Sequence, residues 1–338
     1  MEFPTQAILM GSCEKTGKLS KNAASDSKRA FIGRIGLLKQ ENRKFCSVKK
    51  ACFQQLGIYF YSMFIFKKVL LCLSWLSIDV VIGATAGMYY FAEVLHVQLD
   101  WPPYFLLSLA VWCIYNLDHI LDSQSQPDLN SPRRQFHHRN RKTLVFILAI
   151  LTVLGVFGGI WWFGWGKELQ LTLGLGVLIG LVRLLVWKLG KGWMKEISIA
   201  LFYVVGIAWL PYLWANPLDR SDEFFLFFAI YLILALLNLW ILSYLDVEED
   251  RQAGFFSATN AFAPDKLRRL IFYVIGILAF ASILTLFFLT SFYKIFGWLL
   301  LSMILVHHWA FSNQKLDSDQ KRLWMEWAFS IPWLLLLF

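Results

Sequence analysis

From position 224 the chain runs through 19 residues, FFLFFAIYLILALLNLWIL, without a single charge. A helix of that length rises about 28 Å, close to the ~30 Å hydrocarbon core of a bilayer. Comparable runs recur along most of the chain, and this narrows the possible folds more than any other feature. With 58% hydrophobic and only 16% charged residues, the composition lies outside the range of ordinary soluble domains. The sequence predicts an all-α, polytopic membrane protein.

Nine crossings are expected, over 69–94, 102–121, 143–163, 168–188, 196–215, 223–245, 267–290, 293–311 and 321–338. Loop charge supports this register. The connections after the second, fourth, sixth and eighth runs hold 15 Lys or Arg, whereas the alternate connections hold only Lys167, Arg220 and Lys294. Basic loops stay in the cytoplasm, so the N-terminus is expected inside and the C-terminus outside. In a bacterium this is the plasma or inner membrane. Gly83 and Gly87 form a small-xxx-small pair suited to close helix contact. Trp161, Trp162 and Trp165 read as an interfacial belt.

Net charge is +9, and all of it comes from the N-terminal extension. Residues 1–68 hold 13 of the 32 basic and 4 of the 23 acidic side chains, leaving 19 of each for the rest. The basic balance therefore gives no ground for nucleic-acid binding by the membrane body. Residues 1–62 read as a basic, disordered extension, and 63–338 as the transmembrane domain. A lipid-attracted arm, a transit peptide and an upstream start codon all fit the extension, and Met63 opens a natural membrane-protein start. The five cysteines show neither C-x-x-C nor zinc-ligand spacing.

Two short acidic motifs stand at the ends of apolar runs. Residues 243–254 read S-Y-L-D-V-E-E-D-R-Q-A-G, with Asp246 and Asp250 four apart; Asp118 and Asp122 repeat that spacing after the run 101–114. On a helix such pairs share a face, roughly 6 Å apart. They repel one another and oppose the macrodipole. A hard divalent cation held by carboxylate oxygens relieves both problems, and Mg²⁺ is the expected one. A lone D-x-x-x-D is usually a solvated face, but two at equivalent helix ends of one membrane protein are not easily put down to that. Both pairs are expected on the cytoplasmic side, facing each other across a central cavity. Arginines follow each pair, Arg134 after the first and Arg251 after the second. Metal, carboxylates and guanidinium groups together suit a diphosphate.

The stretch D-V-E-E-D-R-Q-A-G closely resembles the second aspartate-rich motif of the UbiA-type intramembrane prenyltransferases. That family also has nine membrane helices, with aspartate motifs after the second and sixth. The resemblance covers 69–338 and marks the chain as a divergent member. Ile114 and Tyr115 stand where the family's first motif carries Asn and Asp, and Asn116 lies two residues out of register. The resemblance implies transfer of a prenyl group from a prenyl diphosphate to a lipophilic acceptor, commonly aromatic or a quinone precursor. Asp118, Asp122, Asp246 and Asp250 would be the catalytic Mg²⁺ ligands, and Asn116, Arg134, Asn238 and Arg251 would contact substrate. The same scaffold would serve a terpene cyclase.

Other membrane polar groups have two readings each. Asp79 is a cavity-facing acid or a hydrogen-bonded packing residue. Asn238 lines the cavity or bonds a neighbouring helix. Arg183 snorkels to the interface or touches diphosphate. His307 and His308 read as interfacial. Competing functions are a cation-binding transporter, which the scarcity of polar groups in the runs disfavours, and a non-catalytic relative.

Overall fold

The computed structural model describes residues 69–123, 132–189, 192–247 and 263–338. These residues are mostly helical, without a strand. The N-terminal extension lies outside them, as do Asp250 and Arg251.

The helices are α1 (Val69–Trp75), α2 (Ile78–Val94), α3 (Trp101–Asp122), α4 (Pro132–Arg139), α5 (Arg141–Phe163), α6 (Lys167–Leu189), α7 (Gly192–Trp214), α8 (Asp222–Leu245), α9 (Pro264–Phe288), α10 (Ser291–Ser312) and α11 (Ser318–Ala328). A 3₁₀ helix, Ile331–Leu337, follows. Among the described residues seven helices are long and apolar enough to cross a membrane, or eight if α1 and α2 count as one broken span. This is the architecture of a multi-pass integral membrane protein.

Two expected crossings take a different form. The run 69–94 is not one helix, because α1 and α2 meet at 73°. No proline or glycine marks the break. Ser77 sits in the left-handed region, φ 56°, which costs a non-glycine residue roughly 1–2 kcal/mol. Side chains compensate. In an unbroken helix the Val80 amide would donate to the Leu76 carbonyl. Here the Val80 amide donates to Asp79 Oδ1 (2.9 Å), and the Leu76 carbonyl accepts from Asn116 Nδ2 (3.2 Å). The last run, 321–338, is also divided. Its first part is α11, an 11-residue helix opened by a capping box between Asp317 and Gln320. At about 16 Å it is too short to cross a bilayer.

Helix α2 runs through the interior, packed against α3, α7, α11 and the 3₁₀ helix. Helix α8 packs on α7, α9 and α10. Gly83 and Gly87 face these contacts. A Cβ on Gly83 would stand 2.8 Å from Phe329 Cβ, and one on Gly87 would stand 2.6 Å from Ile207 Cδ1. The small-xxx-small reading therefore matches the packing. At the far end of α2, Tyr90, Phe91, Phe227, Tyr231 and Phe296 interlock edge to face or tilted, with centroids 5.3–6.2 Å apart. Helices α5 and α6 expose most of their apolar side chains; Phe157, Trp161 and Val177 are 68%, 91% and 64% exposed. In water this would be a large liability; in a bilayer it is a lipid face.

Candidate functional site

Opposite the aromatic end, the polar side chains of the interior gather. The C-terminal turns of α3 and α8 reach it, together with the end of α6, the start of α2, α4 and α11. Asp118 and Asp246 both stand at this end.

Each of these aspartates already has a cation. Asp118 pairs with Arg183 of α6. Asp246, which caps α8, pairs with Arg322 of α11, whose Nη2 lies 2.7 Å from Oδ1 and 2.5 Å from Oδ2. An acid at a helix C-terminus is disfavoured by the macrodipole, and here the guanidinium offsets it. Partial burial works against the charge on Arg322, and Asp246 beside it outweighs that and raises its pKa.

Asn116 is fully buried on α3. Its amide donates to the Leu76 and Trp112 carbonyls, at 3.2 and 2.9 Å, and its Oδ1 lies 3.5 Å from His137 Nε2. It therefore fastens α3 to the break in the first span. His137 Nδ1 bonds the Arg133 carbonyl at 3.0 Å, and burial pushes its pKa below the usual imidazole value, which favours the neutral ring.

Arg133, in the first turn of α4, bonds His119 of α3. Its Nε is buried without a partner. Burial, with Arg322 nearby, lowers its pKa from the ordinary guanidinium value, while Glu326, Asp79 and Asp246 act the other way. It is a half-buried cation bonded to a histidine ring, close to a second cation. Such a site favours an anion.

Glu326 lies one turn after Arg322 on α11. Its Oε2 accepts from Ser74 Oγ at 3.1 Å, and its carboxyl lies against that of Asp79. Burial first, and then Asp79, raise the Glu326 pKa well above its usual value near 4.5. Asp79, one of the two-way readings, is thus fully buried beside a second acid. Beneath these groups lies a cavity of about 60 Å³ bounded by α2, α3, α7, α8 and α11. Asn238 is on its wall, with Oδ1 buried and unpartnered.

Arg134 is half-buried on α4 and makes contacts of its own. Asp122 ends α3. Asp250 and Arg251 lie outside the described residues. Arg133, Arg183, Arg322 and Glu326 carry more of this cluster than the sequence indicated. Arg322 and Glu326 are four apart on a helix, the spacing that marked the aspartates, but of opposite sign and therefore easily taken for an ordinary surface pair. Among the described residues no three His, Cys, Asp or Glu side chains come together as a cation site. The two aspartates in view are bound to guanidinium groups, so the described donor set does not fit Mg²⁺.

No family model, no curated protein and no solved structure matches the chain.

Proposed function

We propose that the chain is a divergent intramembrane prenyltransferase, which moves a prenyl group from a prenyl diphosphate to a lipophilic, aromatic or quinone-precursor acceptor. The observation that carries this reading is the convergence of the two acidic helix ends, α3 and α8, with Arg133, Arg183 and Arg322 over a cavity in an otherwise apolar bundle.

In this reading the guanidinium groups are the first contacts of the diphosphate. Arg133, with its unpartnered Nε, takes a phosphate oxygen directly. Arg183 and Arg322 exchange carboxylate for phosphate. They stabilise most strongly the charge that grows on the departing diphosphate as the allylic C–O bond breaks. The apolar helices hold the prenyl chain and keep water from the cation. In this reading the basic loops hold this end on the cytoplasmic side. Mg²⁺ enters the reading only through Asp122 and Asp250, and its requirement is part of the test.

One observation favours a non-catalytic relative instead. Asp118 and Asp246 are already neutralised, and the cavity of about 60 Å³ is small. Binding decides between the two. Farnesyl and geranylgeranyl diphosphate are titrated, with and without Mg²⁺, into wild type, Arg133→Ala and Asp246→Ala in nanodiscs. The transferase reading expects saturable binding, weakened at least about tenfold by loss of the Arg133 charge-assisted hydrogen bonds. Folded wild-type protein that binds neither diphosphate would remove it.

A further inference from the structure

The cavity has polar lining groups other than the arginines. Glu326, Tyr115, Tyr203 and Asn238 line it, and most of the remaining wall is apolar. Next to Glu326 is Asp79, fully buried, with Oδ1 tied to the Val80 amide and Oδ2 buried without a hydrogen-bond partner. Two carboxyl groups in contact away from water cannot both be ionised. Two such groups share one proton between them, and burial together with Asp79 shifts Glu326 toward the protonated form. The pair then carries one negative charge. Arg322 and Arg133 lie near enough to balance it, and Asp246 is taken up by Arg322.

The groups offered to a ligand are thus unusual for a membrane interior. Asn238 Oδ1 is a buried acceptor with no donor. The carboxyl pair holds one proton and has room for a second. Tyr115 and Tyr203 add phenol rings whose hydroxyls both donate and accept. An unsatisfied buried acceptor costs about 1–3 kcal/mol, so a donor is favoured here. A strongly hydrated cation is not, because the surrounding wall is hydrocarbon.

We propose that this cavity is a binding site for the hydroxyl head of a small alcohol or phenol, its O–H directed at the Glu326–Asp79 pair beside Asn238. Its place in a reaction rests on the prenyltransferase reading, in which the bound hydroxyl is the acceptor. There the oxygen forms a new C–O bond to the allylic carbon. The allylic bond to diphosphate breaks, and its electron pair leaves with the diphosphate. The hydroxyl proton passes to the carboxyl pair, which goes from one proton to two and from a single negative charge to neutral. Asp79 and Glu326 then act on the acceptor, apart from the aspartates at the ends of α3 and α8.

The test uses the full chain in nanodiscs and dicyclohexylcarbodiimide, which modifies protonated carboxyl groups in apolar surroundings. Peptide mass spectrometry reads the label at Glu326. Phenol is the hydroxyl probe and toluene its isosteric control. Labelling at neutral pH, saturable protection by phenol, and none by toluene at equal concentration are expected. Asn238→Ala should leave labelling intact and weaken phenol protection about tenfold, the worth of one hydrogen bond. Equal protection by toluene would overturn the proposal, since the cavity would then recognise only apolar bulk. So would the absence of both the label and a protonated-carboxyl infrared band removed by Glu326→Gln. Diphosphate binding is measured on the same samples. Phenol protection without diphosphate binding would support the cavity site and remove prenyl transfer. Diphosphate binding without phenol protection would do the reverse.

Discussion

Asp246 and Arg322 make the clearest energetic statement at the level of single residues. Their side chains are 27% and 19% exposed, so neither is well hydrated, and removing one leaves the other uncompensated. Arg322→Ala should lower stability by about 3 kcal/mol, and the double change Arg322→Ala with Asp246→Ala should cost less than the two single changes summed. Thermal unfolding in detergent provides the cycle. Glu326 gives a pH dependence. Its folded pKa lies above the unfolded value near 4.5, so the folded state holds the proton more tightly. The resulting stability is full below pH 4.5 and is lost as pH rises toward the folded pKa, by up to about 1.4 kcal/mol per pH unit. Glu326→Gln should flatten that part of the profile, read from midpoints between pH 5 and 8. At this scale the sequence was half legible. The repeated four-residue spacing singled out Asp118 and Asp246, but spacing within one helix says nothing about partners on another. Arg183 and Arg322 come from helices 65 and 76 positions away in the chain. Asn116 was picked out by its nearness to a motif, whereas its bonds tie it to the Leu76 carbonyl.

Packing between elements turns on the small residues of α2. A methyl group on Gly87 would meet Ile207 Cδ1 at 2.6 Å and Tyr231 Oη at 2.8 Å. Gly87→Ala should therefore destabilise by about 1–3 kcal/mol through overpacking. Gly276 on α9 has nothing within 4 Å of such a methyl. Gly276→Ala should stay within about 1 kcal/mol of wild type, or gain slightly from helix propensity. Comparing the two midpoints separates packing from backbone effects. The positions of α3 and α5–α10 could be read from hydropathy because lipid-facing helices need long apolar runs. The break at Ser77 could not. An uninterrupted apolar stretch with neither proline nor glycine looks like one crossing, and the break depends on a hydrogen bond from Asn116, 40 residues away. Residues 321–338 misled for a related reason. Their composition is apolar enough for a span, but a capping box starts α11 at Ser318 and Pro332 stands just after it.

At the scale of the whole molecule, buried and lipid-facing surfaces separate cleanly. Helices α5 and α6 lie on the outside, and Val177, near the middle of α6, is 64% exposed. Val177→Arg should cost about 3 kcal/mol of insertion free energy, visible as a loss of membrane-integrated chain in a translation assay with microsomes. Val177→Leu should insert like wild type. The broken first crossing has a further meaning, for assembly. As the chain enters the bilayer on its own, residues 69–94 can keep their hydrogen-bond ladder unbroken by staying straight. The bent form leaves the Leu76 carbonyl without its helical donor until Asn116 supplies one. Bending therefore has to wait for α3. Insertion and shaping are successive events, and the residues that fold the first crossing into its final form are synthesised after it has entered.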